Sequence, residues 1–179
     1  INSNHHLDMR LAEVFKALDD GNLWENTIVV LVGVHGEEFY EKGRLGHNST
    51  FVQEQVRTPL VIHIPGVKPQ VYTGMSSHLD VVPTLAPYFG VTNPIADYSL
   101  GYNLLDPAQK RTYTIIANWS QVFYASPKYK TLLPSNSIAF ATQKLTDGND
   151  NPLPSLDPFY NENKAELFQI QRDLTRFVK

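Results

Sequence analysis

The chain has 179 residues, 42% of them hydrophobic and 18% charged, with a formal charge of −3. That composition supports one domain, or one domain with a small subdomain, and excludes a disordered chain. A basic field for nucleic acid is missing, and the absence of cysteine excludes disulfides, thiolate zinc sites and thiol catalysis.

Residues 3–20 place Leu7, Leu11, Val14, Phe15 and Leu18 at helical spacing, with Asp8, Arg10, Lys16 and Asp19 largely outside the stripe. Gly21-Asn22 supplies the stop signal, and His5 and His6 open the helix as solvent-facing residues. Thr27–Val32 is short and rich in β-branched residues, so it reads as a buried strand. A helix followed by such a strand is half of a βαβ crossover and predicts a parallel sheet. His35 then falls at a strand's carboxyl end, where open α/β sheets place ligands. Residues 36–58 read as a long polar loop holding Gly36, Gly43, Gly46 and His47, with Arg44 on its surface.

Residues 60–64 form a second buried strand closed by Pro65-Gly66, in which His63 alternates with apolar neighbours as a core or edge histidine. A helix follows at 80–89, with Asp80 as N-cap, Pro83 in the first turn and Gly90 at the end. After Pro107 the character changes. Thr112–Ala117, Gln121–Ala125, Lys130–Leu133 and Ile138–Lys144 are short strand signals with turn residues between them, an antiparallel meander. Thr146–Pro152 is an exposed turn or loop. Residues 162–178 close the chain as an amphipathic helix, with Leu167, Ile170, Leu174 and Phe177 on the face that docks on the sheet. No apolar run approaches the roughly 18–20 residues that span a bilayer.

His35 and His47, with Glu37 and Glu38 near one sheet edge, admit two readings on spacing alone: a metal or phosphate/sulfate ester site, or two polar loop histidines. Their surroundings add a third observation. Val34-His35-Gly36-Glu37-Glu38-Phe39 is followed by Gly46-His47-Asn48, then by Arg57-Thr58-Pro59-Leu60-Val61-Ile62-His63-Ile64-Pro65-Gly66, then by Ser77-His78-Leu79-Asp80-Val81-Val82-Pro83-Thr84-Leu85. In this order the pieces resemble the sulfatase branch of the alkaline phosphatase superfamily, over roughly residues 1–105. Ala96–Leu105 and Leu174–Val178 resemble, more narrowly, the YejM (PbgA) type of Gram-negative inner-membrane protein with a sulfatase-like periplasmic domain.

The resemblance implies an α/β fold. Residues 1–107 would be the C-terminal part of an alkaline-phosphatase-like mixed or parallel sheet flanked by helices, and 108–179 a small antiparallel sheet with a terminal helix. It implies a periplasmic domain of an inner-membrane protein, with the membrane segments and the Thr, Ser or formylglycine nucleophile upstream of this chain. Alone, the chain is then expected to be inactive. By the same resemblance His35 is a metal ligand, Glu37 supports the site, and His47 contacts the ester's phosphate or sulfate.

One departure matters most. Val34 stands where active relatives carry an aspartate ligand, and an isopropyl group donates nothing to a cation. Affinity for a divalent metal (Mg²⁺, Ca²⁺, Mn²⁺ or Zn²⁺) is expected to fall unless Glu37 or Glu38 swings in. Two functions stay open. One is a metal-dependent hydrolase of sulfate, phosphate or phospholipid-type esters with an incomplete site in this chain. The other is a non-catalytic pseudo-hydrolase that binds or regulates, with anionic lipid or lipopolysaccharide and membrane-protein partners.

Overall fold

Periodicity at the start of the chain gives helix α1, Asn2–Asp20, in a computed structural model that describes residues 2–135, 141 and 143–177. The chain divides into two compact units, Ile1–Gly36 with Arg57–Val71, and Glu37–Val56 with Tyr72–Lys179.

In the first unit, α1 ends as Asn22 turns left-handed at φ 52° and the Leu23 N–H closes back on the Leu18 carbonyl. Its apolar stripe is not sealed: Leu11, Phe15 and Leu18 are half-buried, while Leu7 and Val14 are exposed. Phe15 packs on Trp24, whose indole N–H donates to Asp19 at 2.7 Å. His63 meets the Trp24 ring edge-on, and its Nε2 lies 3.0 Å from the Trp24 carbonyl, so this histidine is the satisfied structural residue its alternation predicts. Strand β1 (Val29–Val32) pairs with the strand Leu60–His63, here β4, from Val29↔His63 to Val32↔Leu60.

The pair is antiparallel, and this corrects the expectation of a parallel ladder for these two strands. Parallel partners need a long crossover, commonly a helix. Between β1 and β4 the chain has only a hairpin and one helical turn. Composition shows that a strand is apolar, not how deeply it is buried or which way its partner runs: Val29, Val30 and Leu31 are half-buried, and Val32 and Val61 are exposed, which corrects the expectation of two buried strands.

The second unit begins with strands β2 (Glu38–Phe39) and β3 (Leu45–Gly46), an antiparallel hairpin, followed by helix α2 (Gln53–Val56). The predicted long loop at 36–58 therefore carries structure. The helix predicted at 80–89 is a 3-10 turn at His78–Asp80, helix α3 (Val81–Leu85) and a second 3-10 turn at Ala86–Phe89, closed by Gly90 at φ 79°. Five antiparallel strands follow in chain order: β5 (Thr114–Ala117), β6 (Val122–Ala125), β7 (Lys130–Leu133), β8 (Leu145–Thr146) and β9 (Pro152–Leu153). Of the strand expected at 138–144, residues 138–140 and 142 lie outside the described residues; β8 begins at Leu145.

The helix expected at 162–178 is shorter: α4 (Asp157–Glu162) and α5 (Lys164–Asp173) are separated at Asn163, Leu174 and Phe177 are exposed rather than docked, and residue 178 lies outside the described residues. The two helices bury Phe159 and Ile170 against Tyr124 and Leu145 of the sheet and Tyr129 of the β6–β7 turn. Phe159 is fully enclosed and meets Tyr124 and Tyr129 edge-on, the arrangement aromatic quadrupoles favour. The Tyr124 hydroxyl donates to Glu166 at 2.5 Å, and burial together with that carboxylate pushes the phenol well above its ordinary range.

Candidate functional site

The hairpin decides where the motif side chains point. Tyr40 adopts φ 71° and Gly43 φ 86° at its turn, where the Tyr40 N–H donates to the Arg44 carbonyl and the Gly43 N–H to the Tyr40 carbonyl. Glu38 faces Gly46 and Phe39 faces Leu45. One step beyond the paired residues, Glu37 and His47 meet, with His47 Nδ1 at 2.9 Å from Glu37 Oε2. Both side chains are about half exposed. A carboxylate accepts, so Nδ1 carries the proton in this pair and the carboxylate fixes the ring's orientation. Gly46 has φ 96°, and a Cβ there would stand 3.6 Å from Glu37 Oε1.

Glu38 behaves differently from its neighbour. It is fully buried, and its carboxylate is saturated. Oε1 accepts from the N–H groups of Lys42 at 3.0 Å and Arg44 at 2.8 Å. Oε2 accepts from Gln55 Nε2 at 2.7 Å and the Thr50 hydroxyl at 3.4 Å. Burial alone would raise the carboxyl. The bonds from Gln55, Arg44, Lys42 and Thr50 outweigh it and hold Glu38 below its ordinary range.

His35 belongs to the first unit, with Nδ1 2.9 Å from the Gly36 carbonyl. A carbonyl accepts, so Nδ1 carries the proton in this contact. Two peptide units link His35 to Glu37, so the chain keeps their Cα atoms within roughly 7.6 Å. Val34 is 81% exposed.

These observations test the fit of a divalent ion. The carboxylate expected at position 34 is replaced by a hydrocarbon, and Glu38 is occupied by four donors, so it does not swing in. Mg²⁺ and Ca²⁺ favour shells dominated by oxygen, and Glu37 is the one carboxylate of the motif not buried among such donors. The residues do not fit these two ions. Imidazole and carboxylate donors are the right chemistry for Zn²⁺ or Mn²⁺.

Asp80 is corrected. It makes no side-chain cap for α3. Ser77 caps the preceding turn, accepting from the Leu79 N–H, while Asp80 accepts from the Ser77 N–H. Asp80 is fully buried in an ion pair with Arg111, whose Nη2 donates to Oδ1 and whose Nε donates to Oδ2 at 3.1 Å; the Tyr102 N–H adds 2.8 Å to Oδ1. Arg111 and Gln55 were invisible to motif reasoning. The loop at 146–152 also holds more than a turn, because the Asp150 side chain, 7% exposed, pairs with Lys130 at 2.5 Å.

The Sulfatase family profile matches residues 1–91. The chain belongs to the sulfatase family. It is a sulfatase-like domain of the alkaline phosphatase superfamily. It is 32% identical over 173 residues to the multifunctional alkaline phosphatase superfamily protein PehA of Trinickia caryophylli, covering 89% of this chain and 32% of that protein. It is 26% identical over 132 residues to the inner membrane protein YejM of Salmonella typhimurium, covering 73% of this chain and 22% of YejM. Among solved structures, BT1596, a 2-O GAG sulfatase, superposes with a TM-score of 0.61 at 21% identity, over 85% of this chain and 36% of that one. This last likeness shows the α/β fold. The chain thus spans little more than a third, or less, of the length of each of these proteins. Among its described residues no helix is long and apolar enough to cross a membrane.

Proposed function

We propose that the protein carrying this chain binds an anionic ester group, phosphate or sulfate, in a sulfatase-like site that has lost the family's metal-dependent hydrolysis. The observation that carries this reading is the pairing of an exposed Val34 with a locked Glu38, which leaves Glu37, held by His47, as the one carboxylate of the motif outside a buried donor network. His47 would donate to the ester's oxygens, and Glu37 would hold its ring in place. A divalent ion, when bound in active relatives, supplies neutralisation of oxyanion charge and activation of the nucleophile; without it, binding outlives turnover. The similarity to YejM, named an inner membrane protein, supports a periplasmic domain of a membrane protein, with an anionic lipid or lipopolysaccharide as the ligand and membrane proteins as partners.

A second reading keeps hydrolysis. His35, Glu37 and His47 offer two imidazoles and a carboxylate, which Zn²⁺ or Mn²⁺ accepts, with the nucleophile supplied from outside this chain. A relative named choline-sulfatase, 31% identical over 87 residues, favours it.

Metal content by plasma mass spectrometry separates the two, measured on the full periplasmic domain and its Val34→Asp variant after dialysis against Zn²⁺, Mn²⁺, Mg²⁺ and Ca²⁺. The binding reading expects an empty site in the parent and a filled one in Val34→Asp. One equivalent of metal in the parent, with cleavage of an aryl sulfate or phosphate ester, would establish the hydrolase instead.

A further inference from the structure

The Glu37–His47 pair is half exposed, so the ribbon beneath decides whether it forms. Side chains alternate along a two-stranded ribbon, and a slip of one residue exchanges its faces. Burying Glu38 against Gly46 sends Glu37 and His47 to the other face together. Glu38 stays buried because its acceptor sites are filled from two directions. Lys42 and Arg44 N–H groups come from the hairpin's own turn, and the Gln55 amide comes from α2.

Gln55 is equally committed. Its Oε1 accepts from the N–H groups of Ser49 and Thr50 at 3.1 Å each, and its Nε2 also donates to the Ser49 hydroxyl at 3.0 Å. One buried amide therefore ties Glu38 to the segment that follows His47. At the other end of α2, the Gln53 N–H donates to Asp150 Oδ2 at 2.8 Å and Gln53 Nε2 to the Gly148 carbonyl at 2.6 Å. Phe51 stacks on Phe123 of β6 at 4.0 Å between ring centroids. Lys130 of β7 holds Asp150 in place.

We propose that Glu38 and Gln55 are positioning residues for the Glu37–His47 pair, and that the five-stranded sheet serves the site through them. The C-terminal sheet then has a task at the site while contributing no reacting group to it. This role rests on the anion-binding reading for its purpose, but not for its measurement.

The test is the protonation pattern of His47 in the full chain, read from long-range ¹H–¹⁵N correlations and assigned with a His47→Gln sample. The parent is expected to hold its proton on Nδ1, as the bond to Glu37 requires. Gln55→Glu sets two carboxylates face to face, and the Nδ1 signature of the bond to Glu37 is expected to be lost. The swap Glu38→Gln with Gln55→Glu restores one donor and one acceptor across the same contact, and the signature returns. If Gln55→Glu folds and leaves the His47 pattern unchanged, the positioning role is wrong. A swap that fails to fold, or folds without restoring the pattern, overturns it as well. Inorganic phosphate titrated into the same samples reports on the function separately, because a parent that ignores phosphate sinks the binding reading while the His47 pattern still decides the positioning.

Discussion

A buried carboxylate stays charged only where donors replace the water it has lost. Glu38 has four donors, and the net effect lowers its proton affinity in the fold. Asp147, held by the Asn151 side chain and backbone, and Glu162, held by Lys128, are shifted the same way. Between the ordinary carboxylate value, about 4.3 for glutamate, and the lower folded value, the unfolded chain binds more protons than the folded one, so stability rises with pH across that window. The contribution is fully present above the ordinary value and is lost as pH falls through the folded one. Urea unfolding at a series of pH values from about 6 to 2.5 is therefore expected to show an acid limb, and Glu38→Gln a shallower one. Parallel limbs for parent and variant would mean that Glu38 contributes nothing to it.

At the scale of elements, the segment from Ser77 to Tyr113 is organised around one ion pair. Asp80 gathers the Ser77 N–H, the Tyr102 N–H and the Arg111 guanidinium, and Arg111 also lies over the Tyr102 ring at 4.7 Å. Gly101 passes so close to the Leu79 carbonyl that no Cβ fits there. Removing one partner of a buried pair leaves an uncompensated charge, which costs about 3–5 kcal/mol. Arg111→Met is expected to lose stability in that range, and Asp80→Asn with Arg111→Met less than the sum of the two single changes; a loss under about 1 kcal/mol in urea melts would show that Asp80 finds another partner. This latch also marks what the sequence conceals. Asp80 before a proline at the start of a helix is a good local cap signal, and nothing near it announces an arginine 31 residues away. Elements whose apolar residues repeat or run together, such as α1, β1, β4 and β5–β7, were legible from that spacing and from their β-branched or helix-forming composition. Two-residue strands carry no repeat, and Tyr40 reverses the chain where glycine or asparagine would have signalled a turn, so the hairpin read as loop. Glu37 and His47 were legible through their motif. Gln55 was not, and neither was the burial of Glu38, since residues of these types are usually at the surface.

At the scale of the whole molecule the two units differ in how they are sealed. The second has an aromatic core in Tyr124, Tyr129 and Phe159, closed by Leu145 and Ile170. In the first, Ile64 is the single buried apolar residue among the described residues, while Leu7, Met9, Val14, Val32 and Val61 are all more than 40% exposed. Local opening is easiest where few apolar contacts must break. Hydrogen exchange on the 179-residue chain is therefore expected to be fastest in α1, β1 and β4 and slowest in β5, β6 and β7. Phe159→Ala removes the ring that Tyr124 and Tyr129 pack around, at a cost of about 3–5 kcal/mol for a buried phenylalanine. Its effect should appear as faster exchange in β6, β7 and α5, with β1 and β4 unchanged because their protection never depended on that core. Equal protection in β1 and β6 of the parent would show that the exposed stripe of α1 is covered in solution, and a uniform response to Phe159→Ala would show that the two units open as one.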